Sequence, residues 1–172
     1  MEQPVFYFDV GSPWCWLAGE RLHAVLGLVP VWQPVLDTPV DPDRAVVARA
    51  AVGQGLPEPR WPEPFPFDTE LAMRAATFAK QTGRTVAFSL AAMRQAFAAG
   101  RDLSETDNVL IAAAACELHP RAVLKGVETR SVREALVTAA SLGLLQLPAI
   151  RVGGEVVSGP GAPEAAAELL AG

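Results

Sequence analysis

The chain has 172 residues, a formal net charge of −5 and a hydrophobic fraction of 51%. This length suits one compact domain or one domain with an insertion, and the acidic balance gives no electrostatic basis for binding nucleic acid. No run of about 18 apolar residues occurs, so we expect no membrane span. The N-terminus lacks the basic and long apolar regions of a secretory signal, which predicts a cytoplasmic protein.

The cysteines and histidines restrict the chemistry further. Cys15 and Cys116 lie 101 positions apart, both in predicted helices, so we do not expect a disulfide framework. His23 and His119 are isolated from other ligand-type residues, and we expect no metal site. Together with the charge, this leaves a small-molecule substrate as the expected partner, without nucleic acid or membrane. The oligomeric state stays open, a homodimer included.

The first predicted elements are a strand and a helix joined by a short turn. Val5–Phe8 is an apolar strand, and Pro13–Leu26 is a helix that Gly27 ends. Ser12 precedes a proline at the first helical position, which is typical of a helix start because the serine oxygen accepts an otherwise free backbone N–H. The positive end of the helix dipole lies at the same place and favours an anion.

Ser12 and Cys15 each allow two interpretations. Ser12 is either an N-cap alone or a catalytic hydroxyl that stabilises a bound thiolate. Cys15 lies between two tryptophans and is either a buried core thiol or part of a functional Ser-Pro-Trp-Cys motif. The local pattern alone favours the cap and the buried thiol.

A second strand and a long helical interval follow. The strand is predicted over Val29–Leu36, and it completes a βαβ unit whose two strands are expected to be parallel. From Asp41 to Arg130 the chain is predicted to be almost entirely helical. The predicted helices are Arg44–Val52, Thr69–Gln81, Thr85–Ala99, Glu105–Glu117, Pro120–Val127 and, beyond this interval, Val132–Leu142.

A proline-rich loop interrupts the helical interval between Pro57 and Pro66. Its composition favours an extended, polyproline-like backbone, and its end carries three aromatic residues, Trp61, Phe65 and Phe67. The loop is either a rigid connector or a segment that places these side chains over a pocket. Asp68, directly after it, is the predicted N-cap of the next helix.

The end of the chain changes to a hairpin followed by a helix. Strands are predicted over Pro148–Val152 and Glu155–Ser158, with Gly153-Gly154 as the turn between them. A final helix runs from Pro163 to Ala171.

The order of these elements predicts the fold class. A βαβ unit at one end and a ββα unit at the other, with helices between them, indicate an α/β thioredoxin-like fold with an inserted all-helical domain. We place the thioredoxin-like α/β domain at residues 1–40 and 131–172, and the helical insertion domain at residues 41–130.

Three segments resemble one known family. They are FYFDVGSPWCWLAGERL near the start, PFPFDTELAMRAA before the second half, and GLLQLPAIRVGGEVVSGPG near the end. They are similar to the DsbA-like thioredoxin-fold superfamily, in the branch that contains 2-hydroxychromene-2-carboxylate isomerases and kappa-class glutathione transferases. In that branch a serine stands where the disulfide oxidoreductases carry the first cysteine of Cys-Pro-x-Cys.

The resemblance implies roles for individual residues. Ser12 matches the catalytic serine whose hydroxyl donates to the sulfur of glutathione. Pro148 matches a cis-proline, and the backbone of Leu147 is expected to pair with the cysteinyl part of a bound thiol. Asp68 matches an asparagine of the family that also contacts the cofactor. The expected substrate pocket consists of Trp14, Cys15, Trp61, Phe65 and Phe67.

The chain departs from the family pattern at three places. The family's Gly-x-Asp-Arg ending is replaced by Gly159-Pro160-Gly161-Ala162, and no basic residue follows the second strand in Leu36–Pro39. Cys15 replaces the hydroxyl residue that is usual in the isomerases. The family implies glutathione as the cofactor, and these departures leave open another low-molecular-weight thiol or no cofactor.

Two functions follow from the resemblance. The first is a thiol-dependent isomerase or transferase, similar to 2-hydroxychromene-2-carboxylate isomerase, that acts on a small aromatic or conjugated substrate. The second is a relative of the DsbA thiol–disulfide oxidoreductases that lacks the nucleophilic cysteine and binds peptides or thiols.

Overall fold

The computed structural model describes residues 2–38 and 40–172, and its centre is a five-stranded sheet. The strands are β1 (Val5–Phe8), β2 (Val31–Leu36), β3 (Val137–Thr138), β4 (Ala149–Val152) and β5 (Glu155–Ser158). They lie in the order β3-β2-β1-β4-β5, with β1, β2 and β3 mutually parallel and β4 antiparallel to both of its neighbours. The parallel pairing of β1 and β2 confirms the predicted βαβ unit.

Eight α-helices surround the sheet in the described part of the chain. They are α1 (Pro13–Leu26), α2 (Arg44–Gly53), α3 (Glu70–Gln81), α4 (Thr85–Phe97), α5 (Thr106–Ala115), α6 (Pro120–Gly126), α7 (Arg130–Ala135) and α8 (Ala162–Ala171). None of these helices is long and apolar enough to cross a membrane.

Helix α1 begins and ends where the sequence predicts, because both ends carry specific caps. Ser12 caps the start, and Gly27 ends the helix at φ 69°, a left-handed conformation that favours glycine. The interior of α1 buries Trp16, Leu17 and Leu22 against α4 and α8. Burial of each large apolar side chain contributes about 1.5–3 kcal/mol, so packing rather than helix propensity holds α1 in place.

The interval from residue 41 to residue 130 contains helices and no strand, as expected. Helix α3 packs against β2 and α4 through a face of small residues, Ala72, Ala75, Ala76 and Ala79, all of which are buried. Small side chains allow the close approach of a helix to a sheet. The assignment of this interval to a separate helical domain stays a prediction.

The helix predicted over Val132–Leu142 is correct as far as Ala135 and wrong beyond it. Thr129 caps α7, and its side-chain oxygen accepts the N–H of Val132 at 3.2 Å. The helix ends at Ala135, and the chain then forms β3 against the edge of β2 and a short 3-10 turn over Ala140–Leu142. Pairing with an exposed sheet edge outweighs the helical preference of this segment.

Candidate functional site

The turn between β1 and α1 places Ser12 at the start of a helix. Its backbone is extended, its N–H donates to the carbonyl of Asp9 at 3.1 Å, and its side-chain oxygen accepts the N–H of Cys15 at 3.2 Å. Pro13 occupies the first helical turn and has no N–H. Ser12 therefore caps α1 as predicted, and its O–H remains a donor at the positive end of the helix dipole.

A cavity of about 580 Å³ opens beside Ser12, where the carboxyl ends of β1 and β2 meet. The turn after β1 contributes Asp9, Gly11, Ser12, Pro13 and Trp14 to its wall. The segment after β2 and the first turns of α2 contribute Asp37, Thr38, Val40, Pro42, Asp43 and Val46. Leu145, Gln146 and Leu147 close the remaining side.

The predicted proline and its neighbour lie beside this cavity. The Leu147–Pro148 peptide bond is cis, as predicted, and Leu147 lines the cavity. The carbonyl of Pro148 accepts the N–H of Gly159 at 2.8 Å, which ties the segment to the end of β5. The structure thus brings Ser12 and Leu147 to one cavity, in the arrangement that the resemblance implies.

Asp9 is a buried carboxylate at the base of the cavity. Its Oδ1 accepts the N–H of Gly11 at 2.8 Å, and its Oδ2 accepts the N–H of Asp37 at 3.0 Å and the hydroxyl of Thr69 at 2.9 Å. Burial raises the pKa of Asp9 to about 6, although these hydrogen bonds oppose the shift. Asp9 therefore joins β1, the segment after β2 and the start of α3 around the cavity.

Cys15 is not available as a nucleophile. The side chain is completely buried, and burial raises the pKa of the Cys15 thiol to about 12, although contact with Ser12 opposes the shift. Since the thiolate is the reactive form, a thiol with this pKa stays protonated near neutral pH. Cys15 is also absent from the residues that line the cavity, so its expected contact with substrate is not supported by the geometry.

Of the four aromatic residues expected in the pocket, Trp14 alone lines the cavity. Trp61 and Phe65 pack on Phe97 of α4 with ring centroids 6.0 and 5.8 Å apart, and Phe67 packs on Phe65 at 5.9 Å. The proline-rich loop thus uses its aromatic residues to attach to α4.

Asp68 also lies outside the lining of the cavity. It is exposed, and its Oδ1 accepts the N–H of Glu70 at 2.9 Å, while Thr69 holds the N-cap position that we predicted for Asp68. The hydroxyl of Thr69 donates to Asp9 instead of capping the helix. A cofactor contact for Asp68 stays a prediction.

Sequence reasoning missed the acidic residues of the cavity, Asp9, Asp37 and Asp43. Asp9 and Asp37 directly follow β1 and β2, and the carboxyl ends of parallel strands meet at one edge of a sheet. This rule could have predicted that Asp9 and Asp37 lie close together. Asp43 caps α2 through bonds to the N–H groups of Ala45 and Val46, and its place beside the cavity depends on how α2 packs.

Glutathione fits this donor set in part. The sulfur fits the hydroxyl of Ser12 and the start of α1. The two carboxylates of glutathione do not fit, because the described lining contains three aspartates and no lysine, arginine or histidine. The described residues also contain no group of His, Cys, Asp and Glu side chains that could hold a metal ion.

Solved structures share the fold of this chain at low sequence identity. A 2-hydroxychromene-2-carboxylate isomerase is 15% identical with a TM-score of 0.81, covering 98% of this chain and 94% of that chain. A probable DsbA oxidoreductase from Streptomyces coelicolor is 21% identical with a TM-score of 0.75, covering 97% and 87%. The cytosolic disulfide reductase DsbM from Pseudomonas aeruginosa with GSH is 18% identical with a TM-score of 0.68, covering 98% and 96%.

These likenesses confirm the thioredoxin-like fold, and the similar structures include both an isomerase and thiol oxidoreductases. No curated protein sequence matches this chain significantly. The family model of the DSBA-like thioredoxin domain matches residues 5–171, which is nearly the whole chain. The chain therefore belongs to the DSBA-like thioredoxin domain family.

Proposed function

We propose that this protein is a thiol-dependent isomerase or transferase for a small aromatic or conjugated substrate. One observation carries the proposal. The hydroxyl of Ser12 lies at the mouth of a cavity and at the start of α1, where the thiol oxidoreductases of the family carry a reactive cysteine. A serine there cannot form a mixed disulfide, but it can donate a hydrogen bond to the sulfur of a bound thiol.

Ser12 and α1 together would lower the pKa of that thiol. The helix dipole places about half a positive charge at the start of α1, and thiols at such positions have lowered pKa values. Cys15 does not compete for the position, because its thiol is buried and protonated. The backbone of Leu147, across the cavity, is the second proposed contact of the bound thiol.

The wall of the cavity suits a small conjugated substrate. Trp14, Val40, Val46 and Leu145 provide apolar surface beside Ser12. A thiolate held there supplies reversible addition to a conjugated double bond, which permits rotation and involves no net redox change. The shared fold with a 2-hydroxychromene-2-carboxylate isomerase supports this reaction class, and the cytosolic relative DsbM supports a cytoplasmic location.

The test is the replacement Ser12→Ala with thiol-dependent cis–trans isomerisation of a conjugated aryl enone as the assay, and 2-mercaptoethanol as the thiol. Loss of one hydrogen-bond donor to a developing negative charge lowers kcat by about 100-fold or more in other enzymes.

The replacement Ser12→Ala also removes an N-cap that contributes about 1 kcal/mol to stability. Thr129→Ala is the matched control, because Thr129 caps α7 with the same geometry, away from the cavity. Equal activity in wild type and Ser12→Ala overturns the proposal.

Binding gives an independent test of the same site. A thiol present at about 100 times its dissociation constant stabilises the protein by roughly 2.7 kcal/mol. We expect small thiols to raise the melting temperature of the wild type and of Thr129→Ala more than that of Ser12→Ala. No stabilisation by any thiol contradicts the proposed function.

A second function is favoured by the exposed apolar rim of the cavity. The side chain of Leu145 is fully exposed and that of Val40 is 73% exposed, although both line the cavity. Such a rim suits an unfolded peptide segment, as expected of an oxidoreductase relative that binds peptides without turnover. Binding of a hydrophobic peptide that resists competition by small thiols, together with no isomerase activity, would favour this alternative.

A further inference from the structure

The charges around the cavity are of one sign. Asp9, Asp37 and Asp43 line it, and the described lining has no cationic side chain. Arg44, the residue after Asp43, forms an ion pair with Asp41, with Nε 3.0 Å from Oδ1. Its Cζ lies 5.0 Å from the centroid of the Trp61 ring. That arginine is therefore held by the proline-rich loop and by its own helix start. A bound anion therefore gains attraction from the starts of α1 and α2, and from no cationic side chain of the described lining.

Glutathione is a poor match for this environment. It carries two carboxylates and one ammonium group, and its thiolate adds a further negative charge. At the position where the family carries an arginine, this chain has Ala162, which is 1% exposed at the start of α8. The adjacent Gly161 carries no charge either. Arg21 donates to the carbonyl of Pro160 in this segment, but it is paired with Glu164. The described lining thus gives the carboxylates of glutathione no cationic partner, while the aspartates repel them.

Two of the aspartates keep an oxygen for a ligand. Within the described residues, the hydrogen bonds to Asp37 and Asp43 end on Oδ1 of each: Thr38 donates to Asp37, and Ala45 and Val46 donate to Asp43. Asp37 is half-buried and Asp43 is exposed at the cavity. Both line the same cavity as Ser12, so an ammonium group bound in that cavity would be attracted by both.

We propose that this cavity selects a small thiol that carries an ammonium group and no carboxylate, with its thiolate at Ser12 and its ammonium group at Asp37 and Asp43. This inference rests on the proposed function, because it concerns the thiol that the same site binds. It replaces glutathione with an aminothiol as the class of cofactor or thiol substrate.

The experiment compares three thiols that each contain two methylene groups and end in groups of different charge. Cysteamine carries an ammonium group, 2-mercaptoethanol is neutral, and 3-mercaptopropionate carries a carboxylate. Dissociation constants are measured by calorimetry at low salt, with glutathione as a fourth probe. We expect cysteamine to bind on the order of tenfold more tightly than 3-mercaptopropionate, with glutathione no tighter than 3-mercaptopropionate.

Two variants move the preference in a defined direction, and one control does not. Asp37→Asn should reduce the ratio of the two affinities. Thr38→Lys, which places a cation on an exposed lining position, should reduce it further by improving 3-mercaptopropionate. Asp107→Asn removes the same charge from an exposed position on α5, outside the cavity lining, and should leave the ratio unchanged. Comparison of each variant with wild type cancels the differences between the thiols themselves.

The outcomes separate the two proposals. If thiols bind but glutathione or 3-mercaptopropionate binds as tightly as cysteamine, the charge preference is overturned and the proposed function stands. If Asp107→Asn changes the ratio as much as Asp37→Asn, the effect belongs to net charge and the inference also fails. If none of the four thiols binds, the proposed function itself is overturned.

Discussion

Two cavities lie at opposite ends of β2 and differ in charge. The near cavity, beside Ser12, has a volume of about 580 Å³ and aspartates in its wall. The far cavity, beside Val31 and Trp32 at the start of β2, is larger at about 740 Å³. Its charged lining residues are Lys80, Arg84 and Glu117, of which the last two form an ion pair at 3.7 Å. The cations of the described cavity walls are thus at the end of β2 that is remote from Ser12.

The polar groups of the far cavity are occupied by contacts within the protein. Lys80 donates to the carbonyl of Trp32 at 3.0 Å, and Arg84 donates to the carbonyl of Cys116, so both cations fasten backbone segments together. The Cys116 thiol donates to the carbonyl of Ala113 at 3.3 Å, and burial raises its pKa. The far cavity is the larger one, but only the near cavity combines open space with a hydroxyl donor at the start of a helix, which is why the proposed function is placed there.

The largest expected effect comes from placing a thiol in the near cavity. Ser12→Cys rebuilds Cys-Pro-Trp-Cys, and a cysteine at a helix start has a pKa of roughly 3.5–7.5. The wild-type Cys15, whose pKa burial raises to about 12, stays protonated at pH 7. We expect dithiothreitol-driven reduction of insulin to rise by more than about 100-fold, and thiol-dependent isomerisation to be lost.

Two controls show which cysteine acts. The double variant with Ser12→Cys and Cys15→Ala should lose most of the gain, because no resolving thiol remains. Cys116→Ser, in the far cavity, should leave both wild-type and variant activities unchanged. Insulin reduction by the wild type at the rate of Ser12→Cys would show that an existing cysteine already performs exchange.

The second effect concerns the space around one glycine in the wall of each cavity, Gly11 in the near cavity and Gly83 in the far cavity. A Cβ added to Gly11 would lie 2.3 Å from Cγ2 of Thr69, and Thr69 cannot move freely because it donates to Asp9. We expect Gly11→Ala to reduce the free energy of unfolding by about 2 kcal/mol and to lower thiol affinity.

A glycine of the far cavity is the matched control. Gly83 has no neighbouring atom within 4 Å of its added Cβ, but its φ is +74°. Gly83→Asn should therefore cost less than about 1 kcal/mol, because asparagine tolerates the left-handed conformation. Urea unfolding measures both variants. Equal losses in the two would contradict the close packing that we describe around Gly11.

The third effect is the pH dependence that Asp9 confers on stability. The pKa of Asp9 is about 6 in the folded protein and 3.8 as the ordinary value, so folding favours its protonated form. This contribution to stability is complete below about pH 4 and is lost as the pH rises through 6. Between pH 5 and pH 7 the loss is about 1 kcal/mol.

Asp9→Asn isolates this contribution. Glu20 and Glu164 oppose it, because their arginine partners hold the pKa of each below its usual range. The difference in unfolding free energy between wild type and Asp9→Asn, measured in urea at pH 5, 6 and 7, removes these other groups. A difference that stays constant across this range would show that Asp9 is ionised throughout.

The sequence predicted those elements whose signals are local. Helix α1 has Ser12 and Pro13 at its start and Gly27 after its end, and its bounds match the prediction. Strand β3, at Val137–Thr138, was not predicted, because two residues show no periodicity. This strand forms through its pairing with β2. The predicted helix extended over this segment because its residues favour a helix locally, and pairing with β2 outweighs that preference.

The same division applies to the candidate site. Ser12 and Leu147 were predicted and line one cavity, because the first carries a helix-start signal and both match family motifs. The position of Trp61 on Arg44 and Phe97 depends on contacts between distant segments, which a local pattern does not encode. In the acidic wall, the place of Asp43 depends likewise on how α2 packs, whereas Asp9 and Asp37 follow the ends of two parallel strands.

The smallest expected effect tests whether the two cavities are independent. Lys80→Met removes the bond from Nζ to the carbonyl of Trp32 but keeps the length and much of the apolar stem of the side chain. A hydrogen bond of this kind contributes about 0.5–1.5 kcal/mol net. Burial lowers the pKa of Lys80, so desolvation of its charged form offsets part of that contribution.

We expect Lys80→Met to lower the free energy of unfolding in urea by about 0.5 kcal/mol and to leave the dissociation constant of cysteamine unchanged. Ser12-dependent isomerisation should also be unchanged, because β2 separates Lys80 from the near cavity. A weaker or stronger affinity for cysteamine in Lys80→Met would show that the cations of the far cavity act on the thiol site through the length of β2. The two cavities would then not be independent of each other.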